Sequence, residues 1–218
     1  MAEARREPPI LLLAVVGFLL VSGLRPEADR VTWLLETAPV MIGVPVLVAT
    51  YARFPLTPLL YRLLALHAVI LIVGGHYTYA QVPLFDWLQT QLGLARNHYD
   101  RIGHLAQGFV PAILAREILI RRSPLRPGGW LMLTVTSICL AFSAFYELIE
   151  WWTALISRDA AEAFLGTQGD QWDTQWDMFL ALIGALASQL GLRRVHDRQL
   201  APYVGSASGP ASGRGAAA

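Results

Sequence analysis

Six long apolar runs follow one another along the chain, each separated from the next by a short cluster of polar and charged residues. Residues 8–24 carry no charge, and 31–52 are interrupted only by Glu36. Residues 63–85 hold no acid and no arginine, although His67 and His76 lie within them. Residues 102–115 are shorter but extend through Arg116 and Glu117 to Ile120. Residues 127–146 are free of charge, and 178–192 follow closely on Asp173 and Asp177. A bilayer-crossing helix needs about 20 mainly apolar residues, within a range of about 17–25. The pattern predicts an all-α fold, a polytopic bundle of about six transmembrane helices, in which the fourth and sixth have the shortest apolar stretches. Arg5 and Arg6 ahead of the first run imitate a signal peptide, but no small-x-small cleavage pattern follows Leu20, so the run is expected to remain as an anchor.

The connections add detail. The apolar spacing over 83–92 suits a short helix lying in the membrane interface, and 160–165, closed by Gly166 and Gly169, is a similar candidate. From residue 201 onward the chain is rich in Gly, Ser and Ala and too poor in large apolar side chains to fold. The expected organisation is a helical membrane domain over 1–200 and a disordered low-complexity tail over 201–218.

Composition agrees with a membrane protein and excludes other classes. Of the 218 residues 55% are apolar and 15% charged, against about 25% charged in a soluble domain, and the mean hydropathy is +0.44. A single cysteine, Cys139, excludes a disulfide scaffold. The net charge of +1 gives no reason to invoke nucleic acid. All 17 basic residues are arginine, and their placement orients the chain. Twelve arginines fall on the side that holds both termini and five on the other, so both termini are expected to be cytoplasmic. Acids partition the opposite way, four inside and twelve outside, which leaves about +8 inside and −7 outside. Topology explains the inner excess but not the outer one, because Asp and Glu contribute little to the positive-inside rule. Six of seven tryptophans also map to the outer boundary, where the indole ring prefers the headgroup level.

The outer acids lie in stripes. Asp100 and His104 are four apart, Glu147 and Glu150 three apart, and Asp170, Asp173 and Asp177 follow the same helical spacing, so each set shares a helix face. Glu36 sits about 9 Å inside the second span at about 1.5 Å per residue. A charge facing lipid at the bilayer centre costs about 2.5–3.5 kcal/mol on insertion scales, so the stripes are expected to face one another or water. Packed carboxylates repel and need a cation, shared protons or arginines. Arg96 and Arg101 are too few for seven acids. A divalent metal is the economical remedy, with His76, Asp100, His104, Asp173 and Asp177 as the expected ligands. Mixed nitrogen and oxygen donors suit zinc, manganese or iron more than calcium. Glu147 or Glu150 would then serve as general base and Arg101 as a bidentate phosphate holder. The alternative to a site is a structural polar network that locks the bundle.

Other polar residues read more simply. His67 is expected as a packed core histidine, Asp86, Asp159 and Glu162 as solvated loop acids, and His98 as either surface or site. Arg116 and Glu117 are expected at the inner end of the fourth span with a snorkelling arginine. Ala181, Gly184, Ala185 and Ser188 read as a close helix-packing face.

Four motifs carry a family resemblance: Gly-Gly-His76-Tyr-Thr-Tyr79; Arg96-Asn-His-Tyr-Asp-Arg-Ile-Gly-His104 through Gln107-Gly-Phe-Val-Pro111; Phe145-Tyr-Glu-Leu-Ile-Glu-Trp151; and Gly166-Thr-Gln-Gly-Asp-Gln-Trp-Asp-Thr-Gln-Trp-Asp177. Over about residues 8–200 the chain resembles the YjdF-type family of bacterial inner membrane proteins, a family without an established activity. That resemblance implies a multi-pass protein of the bacterial inner (plasma) membrane. More loosely, the order of Asp100, Arg101, His104, Glu147, Asp173, Asp177 and Gly184 is similar to the VanZ-like membrane proteins linked to glycopeptide resistance. Glu150-Trp151 departs from the polar amide expected there. Membrane lipids are the expected partners, with a lipid headgroup or lipid-linked envelope intermediate as substrate of a metal-dependent hydrolase. An ion- or proton-coupled carrier and a non-catalytic scaffold remain the alternatives.

Overall fold

A computed structural model describes residues 2–156 and 167–204, and among these every regular element is helical. The order is α1 (Ala2–Leu24), α2 (Arg30–Thr50), α3 (Pro58–Tyr77), a 3-10 turn (Tyr79–Gln81), α4 (Pro83–Leu92), α5 (Tyr99–Arg122), α6 (Gly129–Ile156) and α7 (Asp173–Val204). The helix anticipated over 160–165, with Asp159 and Glu162, lies outside the described residues, as does the chain beyond Val204. Residues 201–204, which composition assigns to the tail, continue α7.

Local chemistry sets several boundaries. Asp29 caps α2, its carboxylate accepting from the Val31 and Thr32 N–H groups and from the Thr32 hydroxyl. Proline opens α3 and α4, where its missing N–H costs nothing. Gly93 closes α4 in the left-handed conformation that favours glycine. α4 has no buried residue and exposes Leu84, Trp87 and Leu92, as an amphipathic helix in the bilayer interface would.

Five helices, α1, α2, α3, α6 and α7, are long and apolar enough to cross a membrane. The fourth expected span is α5, which is long enough at 24 residues but not apolar enough on its own. Its position explains how it tolerates polarity. α5 packs most extensively on α7 and also contacts α6 and α3, and 11 of its 24 residues are buried, Asp100, His104, Arg116 and Glu117 among them. These four polar side chains therefore face protein and not lipid. The apolar helices around it expose large side chains outward, including Leu13, Ile42, Leu66, Leu133 and Phe142.

Where α5 crosses α7 the backbones touch. A Cβ at Gly108 would collide with the Ala181 carbonyl, and one at Gly184 with the Leu105 carbonyl and the Phe109 N–H. Ala112, Ala181, Ala185 and Ser188 are fully buried along the same seam, the close approach that small residues permit between membrane helices. This seam holds the first turns of α5 and α7 side by side, with Asp100 and His104 on one and Asp173 and Asp177 on the other.

Candidate metal centre

Three helices bring their stripes together at one end of the bundle. His104 on α5 is the hub. Its Nε2 lies 3.4 Å from Asp100 Oδ1, one turn earlier, and 3.8 Å from Asp177 Oδ2 on α7. Its Nδ1 lies 3.8 Å from Glu147 Oε1 on α6. Asp100, His104 and Asp177 offer ligand atoms all within 4.8 Å of one another, and so do His104, Glu147 and Glu150. Asp100, His104, Glu147 and Asp177 are each at most 9% exposed. Three atoms of these residues, His104 Nδ1, Glu147 Oε1 and Asp177 Oδ1, are buried without a hydrogen-bond partner. Buried polar atoms are normally paired, and an orphan costs about 1–3 kcal/mol. Two of them, His104 Nδ1 and Glu147 Oε1, face each other at 3.8 Å, while Asp177 stands at the opposite ring nitrogen.

Two arginines flank the cluster. Arg96 pairs with Asp173 and reaches Asp100 Oδ2 at 3.4 Å and Asp170 at 3.6 Å. Arg101 donates to Asp170 Oδ2 at 2.6 Å, lies 3.5 Å from Asp173, and sits over the Trp176 ring. The two guanidinium groups thus answer Asp170, Asp173 and one oxygen of Asp100, which leaves Asp100 Oδ1, Asp177, Glu147 and Glu150 around a single imidazole. The Trp172 N–H, with Arg101 after it, holds the Asp170 carboxyl below the usual carboxylate range. His98, at the start of α5, is held below the ordinary imidazole value by partial burial and by Arg96 and Arg101.

On the remaining side stands Glu36 of α2, buried, its Oε2 accepting from the Tyr146 hydroxyl at 3.4 Å. Tyr146 also meets the His104 ring edge-on at 6.4 Å between centroids. The Tyr79 ring fills the gap between α3 and α5, where a Cβ at either Gly74 or Gly103 would strike it.

Two expected ligands are placed elsewhere. His76 Nδ1 donates to the Ser22 carbonyl at 3.2 Å, and Ser22 Oγ in turn accepts from Trp33 Nε1 at 2.9 Å. His76 therefore ties α1, α2 and α3 together, and it belongs to neither ligand group. Asp173 is turned to the arginines and is likewise outside both groups. Asp86, read from the sequence as solvated, is exposed but accepts from Asn97 Nδ2 at 2.7 Å. His67 packs in α3 with Nε2 unpartnered.

The largest departure from the sequence reading lies at the opposite end of the same helices. Arg116 and Glu117 do not snorkel; both are buried. Glu117 accepts from the Thr57 N–H at 3.1 Å, the Thr57 hydroxyl at 2.8 Å, Arg121 at 2.7 Å and His196 Nε2 at 3.1 Å. Arg116 can only donate, so His196 Nδ1, 2.9 Å away, accepts, and His196 is the Nε2–H tautomer. Arg116 also holds Asp197 at 2.6 Å. The doublets Arg116-Glu117 and His196-Asp197, one near the end of each of two helices, were the available signal for this network.

The geometry can be set beside known proteins. No solved structure matches the chain. Inner membrane protein YjdF of Escherichia coli (strain K12) is 54% identical over 188 residues, covering 86% of this chain and 90% of that protein. The family described as "Predicted membrane protein (DUF2238)" matches residues 8–198, a stretch that contains every helix from α2 to α6 and the acidic end of α7. The chain belongs to this family of membrane proteins.

Proposed function

We propose that this integral inner-membrane protein holds a divalent metal ion on Asp100, His104 Nε2 and Asp177, and uses it to hydrolyse an ester or phosphoester of a lipid headgroup or lipid-linked envelope intermediate. The observation that carries the reading is the group of three ligand atoms within 4.8 Å on buried side chains, with Asp177 Oδ1 buried and unpartnered. Metal–ligand bonds of about 2.0–2.2 Å put two ligands of one ion up to about 4 Å apart, which the 3.4 and 3.8 Å separations at Nε2 satisfy. One nitrogen and two carboxylates suit zinc, manganese or iron. Glu147 faces the other ring nitrogen, the place from which a carboxylate orients a ligating histidine. Glu150 is then the general base for an attacking water. Arg101, beside the cluster, would hold a phosphate by exchanging its Asp170 and Asp173 contacts for it.

Elemental analysis of the protein purified without chelator tests the metal. One ion per chain is expected in the wild type and none in His104→Ala or Asp177→Asn, whereas His76→Ala retains it. Added zinc or manganese should raise the thermal midpoint of the wild type and of His76→Ala but not of His104→Ala or Asp177→Asn, with a gain of about 2.7 kcal/mol of stability at one hundred times Kd. A folded wild type without stoichiometric metal, and without that response, would falsify the reading. Release of water-soluble headgroup from envelope lipid extracts, lost in Glu150→Gln, tests the reaction.

A second reading, an ion- or proton-coupled carrier, draws on the buried Arg116–Glu117–His196 network at the other end of α5 and α7. Sequence alone offered no inward counterpart to the acidic end. Uptake into sealed vesicles that responds to an imposed pH gradient and fails in Glu117→Gln would favour it.

A further inference from the structure

We propose that the groove between α1, α2 and α3, at the end of the bundle opposite the acids, is a binding site for one acyl chain of an anionic phospholipid. The cavity has a volume of about 350 Å³. α1 contributes Leu12 and Val15 to it, α2 Leu47 and Val48, and α3 Leu64 and Ala65. It exists because α1 packs on α3 but barely touches α2. Its deep end is shut by the cluster of Val15, Val40, Ala68 and Ile72.

All three walls are helices apolar enough to span a bilayer. A groove of this kind inside the hydrocarbon layer offers water no polar partners, and an apolar cavity stays dry. Hydrocarbon fills it, and the concave walls hold a chain on three sides.

The mouth selects the headgroup. Tyr51 and Tyr61 stand there as a tilted pair with ring centroids 6.1 Å apart, amphipathic rings of the kind found at headgroup level. Within two residues of the lining residues Pro8, Tyr51 and Tyr61 lie Arg6, Arg53 and Arg62, all exposed, with Glu7 the acid among them, paired to Arg62. Three guanidinium groups against one carboxylate complement an anionic headgroup. An arginine near an anionic lipid surface contributes about 1 kcal/mol, which at tenfold per about 1.4 kcal/mol is about fivefold in affinity. The groove is independent of the metal reading, which concerns the other end of the molecule.

The test is native mass spectrometry of the full chain, equilibrated with equal phosphatidylglycerol and phosphatidylethanolamine and then delipidated. The wild type is expected to keep one phospholipid, with phosphatidylglycerol preferred at least about fivefold. Ala65→Trp and Leu12→Trp, which fill the groove, should lose it while unfolding as cooperatively as the wild type. Should either variant fail to fold, Val48→Trp takes its place. Arg53→Gln with Arg62→Gln should keep a lipid but lose the preference. Retention by folded groove-filling variants equal to that of the wild type overturns the site. So does a wild type that keeps no lipid, or a dimer that the same variants convert to monomer, since a second copy would then cover the groove.

Discussion

Asp29 shows how much a single side chain can contribute at a span boundary. The Thr32 hydroxyl, then the Thr32 N–H and the Val31 N–H, hold its carboxyl below the usual carboxylate range. Replacing an N-cap of this kind by alanine typically costs about 1 kcal/mol, so Asp29→Ala should lower the thermal midpoint in detergent. A depressed folded value places the stabilisation above the ordinary carboxylate value of about 3.9, and it fades as pH falls through the folded value. The difference between wild type and variant should therefore be full at neutral pH and shrink in acid; a difference independent of pH would refute the assignment. His98 provides a second titration. With burial, Arg96 and Arg101 all opposing its proton, its NMR midpoint should fall below about 6.5 and move upward in Arg101→Gln. The neutral form is the one favoured by folding, so this contribution is also lost as pH falls.

At the scale of elements, the α5–α7 seam sets everything the acidic end can do. Overfilling a packed interior costs about 1–3 kcal/mol, and here the obstruction is backbone, which cannot swing aside. Gly108→Leu and Gly184→Leu should each cost about 3 kcal/mol or more and separate His104 from Asp177, removing any bound metal along with the stability. Gly191 on the same helix has open space around it. Gly191→Ala should gain up to about 1 kcal/mol, read from the same thermal unfolding curves. At the other end, Glu117→Leu would leave Thr57, Arg121 and His196 without their acceptor. Removing one partner from a buried charged network costs about 3–5 kcal/mol, so the variant should be isolated in much reduced yield.

For the whole molecule, the division of labour follows the distribution of charge. One end gathers carboxylates around a single histidine under an arginine layer. The other holds a compensated network and an apolar groove, with three exposed arginines within two residues of its lining. The two ends are joined by α5, the least apolar of the long helices, which α3, α6 and α7 shelter. Disrupting the acidic end by His104→Ala should therefore leave lipid retention at the basic end unchanged, as measured by native mass spectrometry.

The sequence by itself determined the helical class, the five long apolar helices, the short helix α4 and the small-residue seam. Each depends on spacing along one helix or on the cost of exposing charge to lipid, and both are local properties. It did not determine which acids share a centre, because that depends on rotations between helices. Asp173 and Asp177 lie on one face of α7, yet the register of α5 against α7 hands Asp173 to Arg96 and leaves Asp177 beside His104. His76 is near the same end in sequence but turns to Ser22 on α1. Glu117 and His196 are 79 positions apart and carry no periodic signal linking them. Only the packing of α5 between α3 and α7 brings them together, because a buried carboxylate is stable only where several donors converge on it.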